Sequence, residues 1–330
     1  MKNQTKGILM KSRSASACIK EGYGLYTKNF RKTMSSSWLT ALLYSLVCSA
    51  LCTILTAYLP ETITQTMAAR ATNSALPANG IVVAAVILAL IIIGGLFEIA
   101  TYSCVIAQLK DEFGSIRKVG KWKLPALDRT TFVRTLIATV ANILIVVVLL
   151  AIIVIPTGML LGMPSGAGDI STKSLIVIAL ELIAIMMLVL PMAFVSMKYI
   201  IRTDTRLWRL IATDYKVGLK HFGFILIVSV VSCIVICLAE YVLALPASIL
   251  TTANYQANIG VYYGDPLGMP GYINYISAVV FFIAGFIQIY IRISALFTSY
   301  YMYGSIEQKE EERRKFKESG MNQSQISMLP

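Results

Sequence analysis

The chain has 330 residues, of which 57% are hydrophobic and only 14% are charged, and its formal net charge is +12. A soluble globular domain carries about 25% charged residues, so this composition excludes an ordinary soluble fold. The net charge does not indicate nucleic-acid binding, because the basic residues stand in short blocks between long apolar runs. The composition therefore predicts a membrane protein with no nucleic-acid partner.

Six apolar segments, taken in chain order, are each long enough to cross about 30 Å of hydrocarbon as a helix. They run over residues 37–60, 81–109, 132–156, 174–197, 222–250 and 273–302. We therefore predict an all-α, polytopic fold with six transmembrane helices. The predicted organisation is a basic segment with an interfacial amphipathic helix over 1–36, the transmembrane domain over 37–302, and a charged tail over 303–330.

The basic residues predict the orientation of these spans. Lys and Arg number 29, and 26 of them lie in residues 1–36, 110–134, 198–220 and 303–330. The alternate loops contain only Arg70 and Lys173, and Arg292 lies within the last span. Because basic loops stay on the cytoplasmic side, the pattern predicts a multi-pass protein of the cell membrane with both termini in the cytoplasm.

Two stretches that precede spans mix apolar with basic residues. Before the first span these are Tyr23, Leu25, Tyr26 and Phe30 with Lys28, Arg31 and Lys32; before the fifth they are Ile201, Leu207, Trp208, Leu210 and Ile211 with Arg202, Arg206 and Arg209. Both predict short amphipathic helices at the headgroup level, with their cations toward anionic lipid headgroups. Such helices serve either specific lipid recognition or simple anchoring.

A weak internal repeat links the odd-numbered spans. These spans end near Pro60, Pro156 and Pro246, and the first and fifth carry i,i+4 cysteine pairs, Cys48/Cys52 and Cys233/Cys237. This spacing is consistent with three tandem helical hairpins. Proline is also common just past helix ends, where it stops a helix, so the repeat has a simpler explanation.

Ionisable residues within the spans are the candidate functional residues, because each costs about 2.5–3.5 kcal/mol on insertion scales. Glu98 precedes Lys110, and Arg292 precedes Gly304, by about 18 Å of helix in spans that run in the same direction. We therefore expect Glu98 and Arg292 to approach each other, with Gln288 nearby. The pair either locks two spans together or binds an ion or a lipid headgroup.

Glu181 and Glu240 form a second candidate pair. Measured from Lys173 and from Pro246, they lie about 12 Å and 9 Å inside the outer surface on consecutive spans. Two carboxylates in the outer half indicate either proton or cation handling, or orientation toward an aqueous vestibule.

No motif points to catalysis. The single histidine, His221, is too few for a multi-histidine metal site. No phosphate-binding glycine loop and no nucleophile elbow occur. The sequence therefore predicts no catalytic residues, no metal site and no cofactor.

Two motifs resemble a known group of proteins. Glu21-Gly22-Tyr23-Gly24-Leu25-Tyr26 with Asn29-Phe30 precedes the first span, and Asp214-Tyr215-Lys216-Val217-Gly218-Leu219-Lys220 with Phe222-Gly223 precedes the fifth. In these motifs and in the order of its parts the chain resembles bacterial six-helix integral membrane proteins similar to the membrane domain of glycerophosphoryl diester phosphodiesterases. The resemblance implies a six-helix domain without an established activity. The phosphodiesterase barrel is missing, so its activity is not transferred.

Three functions stay open at this point. The first is a non-enzymatic membrane module that assists transport or envelope lipid handling, with a lipid or small-molecule ligand. The second is a transporter or channel that uses Glu98/Arg292 and Glu181/Glu240. The third is a membrane-embedded enzyme.

Overall fold

A computed structural model of the chain describes residues 11–57, 78–114, 128–161, 172–202, 204–262, 264 and 270–318. Almost all of these residues lie in seven helices, and no strand occurs among them. The helices are α1 (Ala15–Ala57), α2 (Ala78–Gly114), α3 (Arg129–Leu161), α4 (Thr172–Ile201), α5 (Leu207–Lys220), α6 (Phe222–Tyr262) and α7 (Tyr272–Glu318). All except α5 are long and apolar enough to cross a membrane, which confirms the predicted polytopic all-α fold.

The first and last helices form the axis of the molecule. They have 43 and 47 residues, which corresponds to about 65 and 70 Å, roughly twice the hydrocarbon thickness. They run antiparallel, and Ser45 Oγ donates to Phe282 O at 2.9 Å while Ser49 Oγ donates to Ala278 O at 2.6 Å. Small residues recur along this face of α1, as is typical of closely packed membrane helices: Ser37, Ala41, Ser45 and Ser49, all buried.

The basic segment before the first span differs from the prediction. Helix α1 runs from Ala15 through residue 36 without a break, so the expected interfacial helix is instead the beginning of the spanning helix. The reason is that its aromatic residues pack on α7. Tyr26 donates its hydroxyl to Tyr290 O at 2.8 Å, and its ring meets that of Phe297 edge to face. The second predicted amphipathic stretch is a separate helix, α5.

The two ends of the bundle are packed differently. We call the end where α1 begins and α7 ends the terminal end, and the opposite one the far end. The buried apolar side chains concentrate toward the terminal end: Cys104, Val105 and Ile106 on α2, Phe194, Val195 and Met197 on α4, and Ile293, Phe297 and Tyr300–Tyr303 on α7. Exposed large apolar side chains are frequent on α2, α3, α4 and α6, and on α2 and α4 most of them lie in the far half. The helices are therefore joined tightly at the terminal end and present apolar surface beyond it.

Two prolines that were expected to end spans do not. Helix α3 continues past position 156 to Leu161, and α6 continues past Pro246 to Tyr262. Pro60 lies outside the described residues. A proline inside a spanning helix is tolerated when neighbouring groups or local adjustments satisfy the freed backbone carbonyl. The proline spacing is therefore not a record of where the spans end.

Candidate functional site: an intramembrane charge cluster

Three charged side chains from three helices meet within the membrane. Arg292 on α7 donates through Nε to Glu240 Oε1 on α6 at 2.5 Å. Its Nη1 lies 3.7 Å from Glu98 Oε1 on α2. The predicted approach of Glu98 to Arg292 is therefore confirmed, and Arg292 lies between two carboxylates rather than beside one.

Two tyrosines complete the cluster. Tyr102 donates its hydroxyl to Glu98 Oε1 at 2.8 Å, one helical turn along α2. Arg292 Nη1 donates to the hydroxyl of Tyr44 on α1 at 3.4 Å. We call Glu98, Glu240, Arg292, Tyr44 and Tyr102 the charge cluster. Sequence reasoning missed both tyrosines, although the i,i+4 spacing of Glu98 and Tyr102 was a usable signal.

The expected pairing of Glu240 with Glu181 in the outer half is not what the structure shows. Glu240 is bonded to Arg292 instead. The depth of Glu240 was measured from Pro246 as the end of its span, but α6 continues to Tyr262. Glu240 therefore lies in the middle of a long helix and not near its end.

The other two candidates lie apart from these contacts. Gln288 is half-buried one turn before Arg292 on α7, and within the described residues it makes no hydrogen bond to the cluster. Glu181 on α4 is buried, with 9% of its surface exposed. Its Oε1 atom has no hydrogen-bond partner in the described part of the chain. The structure therefore joins Glu98, Glu240 and Arg292 and leaves Glu181 separate.

Charge and exposure distinguish the cluster from a sealed ion pair. It contains two carboxylates for one guanidinium. The side chains of Arg292, Glu98 and Glu240 keep 37%, 28% and 22% of their surface exposed. Because charged groups are costly beside hydrocarbon, such exposure at this depth calls for water or a polar ligand against the cluster.

Exposed apolar side chains border the charge cluster on α2 and α6. On α2, residues 99–109 include many buried side chains, whereas the large apolar side chains from Ile81 to Leu96 are mostly exposed. Glu98 stands between these two stretches. On α6, Ile225 and Val228 are buried, but exposed apolar side chains lie on both sides of Glu240, such as Ile234 and Val242. The cluster therefore lies at the limit of the exposed apolar stretch of α2 and within that of α6.

A second group of charges, which the sequence analysis did not predict, holds α7 to its neighbours at the terminal end. Lys198 Nζ lies 2.8 Å from Asp214 Oδ1 and 3.2 Å from Glu307 Oε2, and Arg202 also binds Glu307. Glu310 Oε1 accepts from Lys220, His221 and Arg313 at 3.1, 2.9 and 3.0 Å. We call these eight residues the terminal clasp.

The terminal clasp depends on the ionised state of Glu310, which lies beyond the spanning part of α7. Burial raises the pKa of this carboxyl, but the hydrogen bonds from His221 and Lys220 outweigh burial and lower its pKa to about 2. Burial lowers the pKa of the His221 imidazole from 6.5, against the opposing effect of Glu310. Glu310 also pairs with Arg313, three residues further along α7.

The terminal clasp borders a cavity of about 170 Å³. Lys198, Arg202, Asp214, Val217, Glu307, Glu310, Glu311 and Arg314 line it. Because most of its charged side chains already pair with one another, the cavity presents no surface of a single charge. Its charges are explained by the attachment of α7 to α4, to α5 and to the residues that flank these two helices, so we assign the terminal clasp a structural role.

The described residues contain no group of three or more His, Cys, Asp or Glu side chains placed to hold a metal ion. The charge cluster offers one guanidinium and two carboxylates. Comparison of the chain with protein-family models, curated proteins and solved structures finds no match. The resemblance to the phosphodiesterase-associated membrane domain stays a prediction.

Proposed function

We propose that the chain is a non-enzymatic module of the cell membrane that handles lipid, with both termini in the cytoplasm. In this proposal the charge cluster binds a phospholipid headgroup that enters from within the bilayer. One observation carries it: the charged side chains of the cluster keep 22–37% of their surface exposed beside the exposed apolar stretches of α2 and α6.

The energetic argument starts from the cost of exposed charge. An ion pair that only joined helices would gain most if the other helices sealed it, because an exposed charge beside hydrocarbon is unfavourable by several kcal/mol in some treatments. Here Arg292 retains more than a third of its side-chain surface. A headgroup placed against it would cover that surface with polar atoms, while the acyl chains lay along the exposed faces of α2 and α6.

The chemistry of the cluster indicates the headgroup class. Arg292 reaches its partners through Nε and Nη1, so Nη2 is left for a phosphate oxygen in the part of the chain that the structure describes. The second carboxylate has no cation of its own and suits a primary ammonium group. A zwitterionic phospholipid with an amine, such as phosphatidylethanolamine, satisfies both requirements.

Lipid exchange measured by native mass spectrometry tests this proposal. The purified protein is placed in mixed micelles that contain equal amounts of phosphatidylethanolamine and phosphatidylcholine. We expect the wild type to retain phosphatidylethanolamine selectively and Arg292→Gln to lose that selectivity. Equal retention of both lipids by the wild type, or unchanged selectivity in Arg292→Gln, would overturn the proposal.

Two further variants keep the test informative if Arg292→Gln does not fold. Glu98→Gln preserves the 2.5 Å contact between Arg292 and Glu240. It removes only the negative charge of Glu98, which lies 3.7 Å from Arg292. We expect it to fold and to lose several-fold selectivity for the amine headgroup. The matched control is Gln288→Ala, one turn away on the same helix and outside the cluster, which should retain wild-type selectivity.

The excess carboxylate favours a second candidate, a cation-coupled transporter. A proton or a monovalent cation would balance the second carboxylate, and Glu181 with its unpartnered oxygen would offer another position in the membrane. Proteoliposomes loaded with a pH-sensitive dye test for proton flux. Flux that disappears in Glu98→Gln or Glu181→Gln supports this candidate; no flux above that of empty liposomes argues against proton coupling.

A further inference from the structure

Helix α5 has three faces with different chemistry. Helical positions advance by about 100° per residue, which assigns its side chains to three sectors about 120° apart. The buried face comprises Leu207, Leu210, Asp214 and Gly218; the exposed apolar face comprises Trp208, Ala212 and Leu219, with the half-buried Tyr215 at its edge; the basic face comprises Arg206, Arg209, Lys216 and Lys220. A helix with one face on the protein therefore still offers an apolar face and a cationic face to its surroundings.

The buried face fixes α5 against the spanning helices. A Cβ atom at Gly218 would lie only 2.9 Å from Pro191 Cβ, so α5 touches α4 at its proline. Tyr215 donates its hydroxyl to Leu188 O at 2.8 Å, and Asp214 binds Lys198. These contacts hold α5 beside residues 188–198 of α4, between the end of α4 at Ile201 and the start of α6 at Phe222.

The basic face carries positive charge that the protein does not neutralise. Within the described residues Arg206, Arg209 and Lys216 form no ion pair with an acidic side chain, and all three are exposed. The acids at this end are engaged elsewhere: Asp214 and Glu307 bind Lys198, and Glu310 binds Lys220. Trp208, with 78% of its surface exposed, lies on the adjoining face.

We propose that α5 is a binding site for anionic phospholipid headgroups, with Arg206, Arg209 and Lys216 on the phosphates and Trp208 and Leu219 among the adjoining acyl chains. Cationic side chains beside an exposed tryptophan are the arrangement with which interfacial helices bind acidic bilayers. This site is separate from the charge cluster, and it takes a lipid of net negative charge rather than a zwitterion.

The chemistry of the bound molecule follows from the basic face and the adjoining apolar face of α5. The unneutralised cations are complementary to an acidic surface, and each cation near such a surface strengthens binding about fivefold. A soluble anion would meet the basic face alone and would leave the apolar face uncovered. A lipid covers both faces, because its headgroup and its acyl chains lie at adjoining depths.

Quenching of Trp208 fluorescence by brominated lipids tests the proposal. The full chain with Trp38→Phe and Trp122→Phe retains Trp208 as its single tryptophan. It is placed in nanodiscs of phosphatidylcholine with a small fraction of brominated lipid, either phosphatidylglycerol or phosphatidylcholine. We expect brominated phosphatidylglycerol to quench Trp208 at a concentration at least about tenfold lower than brominated phosphatidylcholine.

Two charge-matched variants separate a site from bulk attraction. Arg206→Gln/Arg209→Gln/Lys216→Gln should lose the preference for phosphatidylglycerol. Lys20→Gln/Lys28→Gln/Arg31→Gln removes the same charge from exposed positions on α1 and should keep it. The proposal is wrong if both variants lose the preference equally, if neither does, or if the wild type shows none.

The two proposals can fail independently. The charge cluster is tested by whether Arg292→Gln loses the selective retention of phosphatidylethanolamine. The α5 site is tested by the quenching of Trp208 by brominated phosphatidylglycerol. Loss of one signal with retention of the other identifies which site is wrong. Two added controls, Arg292→Lys in the nanodisc assay and Arg209→Gln in the exchange assay, should each leave the other site unchanged.

Discussion

At the scale of single residues, the informative feature is that one guanidinium serves two carboxylates. Glu240 lies at hydrogen-bond distance from Arg292, whereas Glu98 lies 1.2 Å further away and is also bound by Tyr102. The two carboxylates are therefore not equivalent. Glu240 depends on Arg292 for its stabilisation, and Glu98 has an alternative donor.

Replacing Arg292 with Leu should lower the yield of folded protein, because it leaves two carboxylates without a counter-charge. Insertion scales put each uncompensated charge at about 2.5–3.5 kcal/mol. Adding Glu240→Gln should restore more folded protein than adding Glu98→Gln, since Glu240 loses the 2.5 Å partner. The monodisperse fraction in size-exclusion chromatography measures this.

The matched control is Arg31→Leu, which removes an exposed arginine from α1 and should leave the yield unchanged. Equal rescue by Glu98→Gln and Glu240→Gln would mean that the two distances do not reflect different couplings. If Arg292→Leu gave the same yield as the wild type, the charge cluster would not contribute to the stability of the folded protein.

Acid should loosen the terminal clasp. Because the pKa of Glu310 is lowered from 4.5 to about 2, its stabilisation is complete above about pH 4.5 and is lost as the pH falls toward 2. The pKa of His221 is also lowered, so its neutral form is favoured in the fold, and stability falls as the pH drops below 6.5. Both effects have the same sign, and thermal unfolding at pH 7.5, 5.5 and 4 should show a declining midpoint.

Glu310→Gln tests the origin of that decline. It should lower the unfolding midpoint at pH 7.5, because it removes the charge that Lys220, His221 and Arg313 bind. The difference between wild type and variant should shrink at pH 4. Glu311→Gln, an exposed neighbour with a single i,i+4 contact to Lys315, is the control that should change little. A constant difference across the pH range would contradict the assignment.

Contacts between residues could be predicted from the sequence only where the distance along the helix to the end of a span gave the depth of the residue in the membrane. Glu98 and Arg292 lie equally far along their helices from Lys110 and Gly304, so their approach was predictable. Glu240 was missed because its depth was measured from Pro246. The terminal clasp was missed because Lys198 and Glu307 are separated by more than a hundred residues, and no periodic pattern links them.

At the scale of helices, the pairing of α1 with α7 depends on close approach. A Cβ atom at Gly22 would lie 2.8 Å from Thr298 Cα and 2.8 Å from Thr298 Cγ2. At Gly24, two residues on, the same atom would meet nothing within 4 Å. The two glycines therefore form a natural pair of test positions on one helix.

Gly22→Ala should destabilise the protein by about 1–3 kcal/mol, because the methyl group forces α1 away from α7. Gly24→Ala should be neutral or stabilising by up to about 1 kcal/mol, since alanine favours the helix. Thermal unfolding in detergent measures both. Adding Thr298→Ser to Gly22→Ala should restore only part of the loss, because the backbone contact stays. Equal midpoints for the two alanine variants would contradict the close packing.

Helix ends were less predictable than helix existence. Hydropathy located all six spanning helices, because their apolar windows far exceed what a soluble helix carries. The sequence did not show that α1 begins at Ala15, since a polar stretch with scattered aromatic residues has no strong hydropathy signal. Its helical extension depends on contacts with α7, such as the hydrogen bond between Tyr26 and Tyr290. Tertiary packing, not local composition, decides where such a helix begins.

At the scale of the molecule, the basic residues and the packing agree on one asymmetry. Close packing, the terminal clasp and helix α5 all lie at the terminal end, where nearly all basic residues of the described part of the chain also lie. The far end presents apolar faces instead. We infer that the terminal end provides the rigid base of the module, and that the far halves of the helices are the part open to lipid.

This asymmetry predicts the topology that the positive-inside rule favours. Epitope tags inserted after Lys118, Ala212 and Ser324 should bind antibody only in permeabilised cells, because these positions belong to the basic segments of the sequence. Tags after Arg70, Gly168 and Asp265 should bind antibody in intact cells. An even number of crossings places the N-terminus on the same side as the C-terminus. An N-terminal tag must therefore show the same accessibility as the tag after Ser324. Accessibility of the N-terminal tag without that of Ser324 would exclude six crossings, and a complete reversal would exclude the proposed orientation while preserving the fold.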